Sequence, residues 1–108
     1  FKALRDDGIM VNQHESPFYE EDAAAMQRAH KRIVDSFPIS RVYQAHIPTY
    51  PSGHWLFGFA SKQYHPVHDL QAVTWNLLGL STRYYTTRLH TGAFALPAYV
   101  EELLRDVE

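Results

Sequence analysis

The chain has 108 residues, 45% of them hydrophobic and 14% aromatic, which is enough for one globular unit with a small core. The formal net charge is -2 without an acidic or basic block, so the charge pattern gives no support to nucleic-acid or membrane-surface binding. The lack of cysteine excludes a disulfide scaffold, Cys-ligated zinc and thiol catalysis. No apolar run approaches the ~20 residues of a membrane helix, and the charged first residues are unlike a signal peptide.

The first seven residues have the pattern of a helix end. Phe1 and Leu4 lie three residues apart, basic residues stand nearby, and Gly8 provides a stop. We therefore expect the chain to begin within the last turns of a helix, as a piece cut from a longer domain would.

A strand and a long helix are predicted next. The apolar run Ile9–Gln13 follows the glycine directly, which indicates a buried strand. Ser16 suits a helix N-cap and Pro17 a first helical position, so we expect a helix from about Pro17 to Ser36. Its inward stripe is predicted to be Tyr19, Ala23, Met26, His30, Ile33, Val34 and Phe37.

Two more strands are predicted in the middle of the chain. Arg41–Ile47 has strand-like alternation, and His54–Ser61 mixes aromatic with small residues. The segment Pro48–Gly53 between them holds two prolines, a serine and a glycine, which favours a rigid turn. Because the strands are neighbours in sequence, we expect them to pair antiparallel.

The remainder is predicted to be mainly helical, with a helix at 69–78, a helical turn at 87–94 and a helix at 97–105. The first of these should carry an apolar side formed by Leu70, Val73 and Leu77, with Trp75 on its flank. The inward face of the last is predicted to be Tyr99, Val100, Leu103 and Leu104. With no repeat or linker visible, residues 1–108 are expected to form one unit without an internal boundary.

The order strand, helix, strand, strand, helices is typical of an α/β protein. Three strands are too few for a complete nucleotide-binding sheet. None of the five glycines belongs to a GxGxxG or P-loop motif, so the sequence predicts no phosphate-binding loop.

Three motifs point to a family. They are Gly-Ile-Met-Val-Asn-Gln-His-Glu-Ser at 8–16, Ile-Pro-Thr-Tyr-Pro-Ser-Gly at 47–53, and Arg-Tyr-Tyr at 83–85 followed by His90 and Ala-Phe-Ala-Leu-Pro at 93–97. In order and spacing they resemble the C-terminal part of the spermidine synthase (polyamine aminopropyltransferase) family, and they cover nearly the whole chain.

The resemblance implies a Rossmann-like methyltransferase fold with a mostly parallel seven-stranded sheet and an antiparallel final hairpin. This chain would hold only the C-terminal βα unit, the hairpin and the terminal helices. The implied reaction is metal-free transfer of an aminopropyl group from decarboxylated S-adenosylmethionine to putrescine in the cytoplasm, giving spermidine and methylthioadenosine. The nucleotide site and the catalytic aspartates would lie upstream, so we expect this chain alone to contain no catalytic residue, to bind no cofactor and to be inactive.

The same resemblance implies that Glu15, Tyr50, Trp55 and Gln13 bind the putrescine side of the substrate pair. Glu15 would hold the far ammonium, Tyr50 would line the amine pocket, and Trp55 would lie against the diamine chain. From the residues alone other roles stay open: Glu15 as a solvated carboxylate at a helix N-terminus, Tyr50 packed under its turn, and Trp55 in the core. Other amines, such as cadaverine, agmatine or spermidine, also stay open as acceptors.

The histidines and serines suggest weaker alternatives. His65 and His68 are three residues apart, and the group His14, Glu15, His46 and His54 could converge at one sheet edge. Without an HExxH motif or cysteine we expect no functional metal. His90 is expected to be structural, and neither Ser16 nor Ser52 lies in a nucleophile elbow.

A second class of function is a non-catalytic binding or assembly module derived from the same family. In either case the strand at 9–13 should keep one bare edge. A bare apolar edge tends to pair with another chain, so we expect self-association, or exchange of elements between copies, in a homo-oligomer.

Overall fold

The computed structural model describes residues 2–14, 16–17, 20–50, 52–105 and 107, with nothing stated of the Glu20 side chain. The strands are β1 (Ile9–Gln13), β2 (Ile39–His46) and β3 (His54–Ser61). The helices are α1 (Glu20–Ser36), α2 (Ala72–Leu77), α3 (Thr87–Gly92) and α4 (Ala98–Leu104). Every element predicted from residue 9 onward is confirmed, with ends displaced by up to three residues. Tyr19, a predicted member of the α1 stripe, lies outside the described residues.

The expected helix at the start of the chain is wrong. Residues 2–7 form turns and a bend, and the amide of Gly8 donates to the carbonyl of Arg5 at 2.9 Å. The ammonium of Lys62 donates to the carbonyl of Leu4 at 2.6 Å, which fixes the segment to the residue after β3. The contact with Lys62 is a tertiary one, so the conformation of this segment depends on more than its local sequence pattern.

The sheet is antiparallel and has the order β1-β3-β2. Ile9 pairs with Ser61 and Gln13 with Phe57, while β2 and β3 form the predicted hairpin. Strands β1 and β2 therefore run in the same direction on either side of β3, joined by α1. This is the βα unit plus hairpin that the sequence predicts, and it confirms the α/β class.

The prediction that β1 is buried is wrong for alternate residues. Ile9 is 51% and Val11 is 59% exposed. Within the described residues β1 has β3 as its only neighbour, and α1 packs on β2 and β3 instead. Side chains alternate across a strand, so these two residues point away from the face that α1 covers.

The core lies between α1, α4 and one face of the sheet. Its buried cluster is formed by Met26, Val42, Leu56, Val100 and Leu104. Two of the four residues predicted on the inward face of α4 are thus fully buried, and Leu103 packs against the cluster. The placement of Tyr99 is wrong, since it is 42% exposed and lies at the margin.

Helix α2 buries none of its residues, so the predicted apolar side is wrong. Val73 is 73% and Leu77 is 82% exposed. Trp75, predicted on the flank, provides the contact instead, with its ring 5.1 Å from that of Tyr85. A helix of six residues presents one narrow face to its neighbour, and here that face is the one that carries the tryptophan.

His90 makes structural hydrogen bonds, as expected. Its Nε2 donates to the carbonyl of Pro66 at 2.8 Å, so its Nδ1 accepts from the hydroxyl of Tyr85 at 2.8 Å. These bonds tie α3 to the loop after β3. Among the described residues no helix is both long and apolar enough to cross a bilayer.

Candidate functional site

Three of the four predicted site residues lie at one end of the sheet. Gln13 is the exposed last residue of β1, Tyr50 lies in the turn after β2, and Trp55 is the second residue of β3. Because β1 and β2 run parallel on either side of β3, their carboxyl ends meet at this edge, where open α/β sheets bind ligands. Glu15 lies outside the described residues.

The turn at 47–53 is held by its own backbone. The amide of Ile47 donates to Gly53 at 2.8 Å, and the amides of Tyr50 and Gly53 each bond within the turn at 3.0 Å. Ser52 and Gly53 have positive φ angles of 67° and 69°. A serine in this left-handed region is strained by ~1 kcal/mol or more, so bonds from its surroundings must hold it there.

Those bonds come from a contact that the sequence analysis missed. The hydroxyls of Ser16 and Ser52 lie 2.8 Å apart, and Ser16 is wholly buried. The Ser52 hydroxyl also donates to the carbonyl of His54 at 3.2 Å, which leaves Ser16 as the donor between the two serines. Ser16 was predicted to cap α1, which is described from Glu20 onward, and the prediction of the cap stays untested because residues 18 and 19 lie outside the described residues. The Ser16 side chain joins the connection after β1 to the 47–53 turn.

Tyr50 and Trp55 form an aromatic corner above this turn. Their ring centroids are 6.0 Å apart at an interplanar angle of 78°, an edge-to-face contact. Tyr50 is 52% exposed, which does not fit the alternative of a ring packed under its turn, and Trp55 is half-buried. Two open aromatic faces suit methylene groups and ammonium ions. Their assignment to an amine pocket stays a prediction.

A chain of hydrogen bonds runs through His54, the residue before Trp55. Gln44 accepts through Oε1 from His54 at 2.7 Å and donates through Nε2 to the carbonyl of Ala95 at 3.3 Å. His54 therefore carries its proton on Nε2, and its Nδ1 accepts from the hydroxyl of Tyr99 at 2.9 Å. Burial first and the neighbouring His46 second lower the pKa of His54, so the neutral ring is favoured.

A buried histidine pair lies behind the end of β1. His14 is 3% exposed and His30 is wholly buried, with ring centroids 5.4 Å apart in an edge-to-face contact. Burial first and the His30 charge second lower the pKa of His14 to about 4. Gly58 gives the ring its space, since an added Cβ would lie 2.7 Å from His14 Nε2 and 2.5 Å from Asn12 Oδ1.

The suggested convergence of histidines at the sheet edge is wrong for the residues that can be located. His14 faces His30, whereas His46 faces His54 at 5.7 Å between ring centroids. In the part of the chain that is described, no group of three His, Cys, Asp or Glu residues is placed to hold a metal ion.

A sheet in which α1 joins the parallel strands β1 and β2 on either side of β3 defines an α/β protein. The family model described as the spermine/spermidine synthase domain matches residues 1–71, and the chain belongs to that family. Polyamine aminopropyltransferases from Clostridium beijerinckii and Alkaliphilus oremlandii are each 68% identical to it. These matches cover 96% and 100% of this chain but only 37% and 38% of those proteins.

Solved structures lead to the same family. Spermidine synthase from Thermotoga maritima superposes with a TM-score of 0.87 at 36% identity, over 98% of this chain and 36% of that one. A spermidine synthase in complex with the transition state analogue AdoDATO gives 0.87 at 37% identity, over 95% and 34%. The chain thus spans a little over a third of the length of its relatives and has the fold of the corresponding part.

Proposed function

We propose that the whole protein to which this sequence belongs transfers an aminopropyl group from decarboxylated S-adenosylmethionine to putrescine, giving spermidine and methylthioadenosine. In this reaction an amine nitrogen attacks the carbon next to the sulfonium, a nitrogen–carbon bond forms, and the carbon–sulfur bond breaks. The sulfur keeps the bonding electrons and leaves as methylthioadenosine, and the nitrogen releases one proton. The names of the relatives and the AdoDATO complex support this assignment.

Within that reaction this segment would hold the amine. Putrescine carries two ammonium groups near neutral pH, because amines of this kind have pKa values near about 10. The Tyr50–Trp55 corner offers aromatic faces to the methylene chain and its cationic ends, and Gln13 and Glu15 would hold the distal ammonium. Positioning of the amine in line with the reacting carbon is the contribution expected of such a pocket.

The observation that carries the proposal is the bond between Ser16 and Ser52. It links the connection that contains Glu15 to the turn that contains Tyr50, although 36 residues separate the two serines. The two segments that the family resemblance assigns to the amine are thereby held at the same edge of the sheet. If the fold separated these two segments, the residues that the resemblance assigns to the amine could not form one site.

We infer that the chain alone is inactive, because the resemblance assigns the nucleotide site and the catalytic aspartates to segments outside it. The same resemblance, and no structural feature, supports a cytoplasmic location. Production of methylthioadenosine by these 108 residues alone, from putrescine and decarboxylated S-adenosylmethionine, would contradict the inference.

The amine assignment is tested in the full-length protein with Trp55→Ala. Loss of one aromatic wall is expected to raise KM for putrescine about tenfold, equivalent to ~1.4 kcal/mol, while KM for the nucleoside substrate changes little. Trp75→Ala is the matched control, because it removes the other tryptophan of the chain, which lies in α2 and packs on Tyr85. Equal effects of the two substitutions, or a wild-type protein that aminopropylates no diamine, would overturn the proposal.

The isolated chain is also proposed to self-associate through the outer edge of β1. That edge carries Ile9 and Val11, both more than half exposed, and within the described residues only β3 pairs with β1. Light scattering at increasing concentration should show dimers, and Val11→Lys should reduce them. A monomer at every concentration would refute self-association without bearing on the enzymatic proposal.

A further inference from the structure

A cleft lies away from the aromatic corner, toward the start of β2. It has a volume of about 390 Å³ and lies between the start of β2, the loop after β3 and the segment after α3. Its polar lining consists of Arg41, His65, His68 and Thr91. Apolar walls are provided by Val42, Pro66, Val67, Phe94, Ala95 and Leu96.

The cleft is separate from the aromatic corner. Arg41 lies near the start of β2, and the turn that holds Tyr50 follows its end. Ile47 follows β2 and lies six positions along the chain from Arg41, which corresponds to about 20 Å at ~3.3 Å per residue. A ligand in the cleft would therefore not touch the residues assigned to the amine.

The charge of the cleft comes from Arg41, whose side chain is exposed. One of its terminal nitrogens donates to the carbonyl of Ser40 at 2.8 Å. A guanidinium carries five N–H groups in a planar fork, which suits the oxygens of a carboxylate or phosphate. The nearby carboxylate of Asp69 is not part of the lining, and it accepts the backbone amide of His65 at 2.7 Å.

His65 adds a fixed donor. Its Nδ1 accepts the amides of Val67 and His68, each at 3.1 Å, so the neutral ring must carry its proton on Nε2. The ring is stacked on that of His68 with centroids 3.9 Å apart. Burial first, then His68 and Arg41, lower the pKa of His65, so it can donate without first becoming charged.

We propose that this cleft binds a small organic anion, with its oxyanion on Arg41, His65 and Thr91 and its apolar body against Pro66, Phe94 and Leu96. The guanidinium provides the charge, the imidazole and the hydroxyl provide directed donors, and the apolar walls exclude water from one side. The shared chemistry is that of a carboxylate or a phosphate monoester attached to an apolar group.

The test is calorimetric titration of the full-length protein with phenyl phosphate, benzoate, inorganic phosphate and the neutral benzyl alcohol. Phenyl phosphate or benzoate is expected to bind at least about tenfold more tightly than benzyl alcohol and than inorganic phosphate. The tighter of the two organic anions identifies the head group. If benzyl alcohol bound as tightly as the organic anions, the site would not require an anion. If inorganic phosphate bound as tightly as the organic anions, the apolar walls would not contribute to binding. Either result would overturn the proposal.

Variants then locate the site. Arg41→Gln should weaken the preferred anion at least about tenfold, since hydrogen bonds to charged groups are of that strength, and Arg41→Lys should weaken it less. Arg28→Gln is the matched control, because Arg28 is an exposed arginine of α1 outside this cleft. In NMR spectra the imidazole signals of His65 should move on titration while those of His46 stay in place. Unchanged affinity in Arg41→Gln, or an unmoved His65, would refute the proposal.

Discussion

Acidification probes the buried histidine pair behind the end of β1. His14 is 3% exposed and lies against His30, and its pKa in the folded protein is lowered from 6.5 to about 4. Between these two values the unfolded chain binds a proton at this position and the folded chain does not. The contribution of His14 to stability is therefore fully present above pH 6.5, declines as pH falls, and is fully lost below about pH 4.

At pH 5 this linkage lowers the free energy of unfolding by up to ~2 kcal/mol, and below pH 4 by at most ~3 kcal/mol, from 1.36 kcal/mol per pKa unit. His14→Gln removes the titrating group, so the difference in stability between pH 7 and pH 5 should shrink by about that amount. Urea unfolding followed by tryptophan fluorescence at pH 7, 6 and 5 measures it, and the comparison between pH values cancels any uniform effect of the substitution.

Gln63→Ala is the control, because it changes an exposed side chain that does not titrate. It should leave the difference between pH 7 and pH 5 as in the wild type. If His14→Gln keeps the full wild-type pH dependence, the burial argument fails. A midpoint near 6.5 for the His14 ring in an NMR titration would refute it directly.

Three further substitutions test the packing. Gly58→Ala should lower the free energy of unfolding by ~1–3 kcal/mol, because the new Cβ would crowd His14, and a wild-type melting temperature would contradict this. Met26→Ala should cost ~2–5 kcal/mol in urea unfolding because the side chain is wholly buried; a loss below about 1 kcal/mol would place the core elsewhere. Tyr99→Phe should cost ~1 kcal/mol and change the NMR shift of His54 Nδ1, and an unchanged shift would contradict the hydrogen bond between them.

Local sequence patterns were sufficient to predict the elements that have strong periodicity or are bounded by proline and glycine. The stripe through Met26 and His30 predicted α1 and its buried face, and the proline-rich turn predicted the β2–β3 hairpin. They failed for the start of the chain and for the exposure of α2. Residues 2–7 and α2 have helical signals, but the conformation of the first segment and the exposure of the second depend on contacts with Lys62 and Tyr85 that no local pattern contains.

The candidate site also has a part that the sequence predicted and a part that it did not. Motif resemblance named Gln13, Tyr50 and Trp55, and it assigned Glu15, which stays a prediction. The supporting contacts were not predictable, because the bond between Ser16 and Ser52 joins residues 36 positions apart. A serine before a proline signals a helix cap locally, and only the folded chain shows that its hydroxyl is used across the sheet edge.

The sequence by itself determined the family, the order of the elements and the core face of α1, because these depend on composition, periodicity and motif order along the chain. Tertiary structure decided the strand order, the exposure of β1 and α2, and the state of the buried histidines. It also decided which polar groups meet beside the aromatic corner and in the cleft. The physical reason is that burial, hydrogen-bond partners and pKa values are properties of the neighbours a residue acquires in space. Here those neighbours come from segments far apart in sequence, such as Gly58 beside His14 and Thr91 beside Arg41.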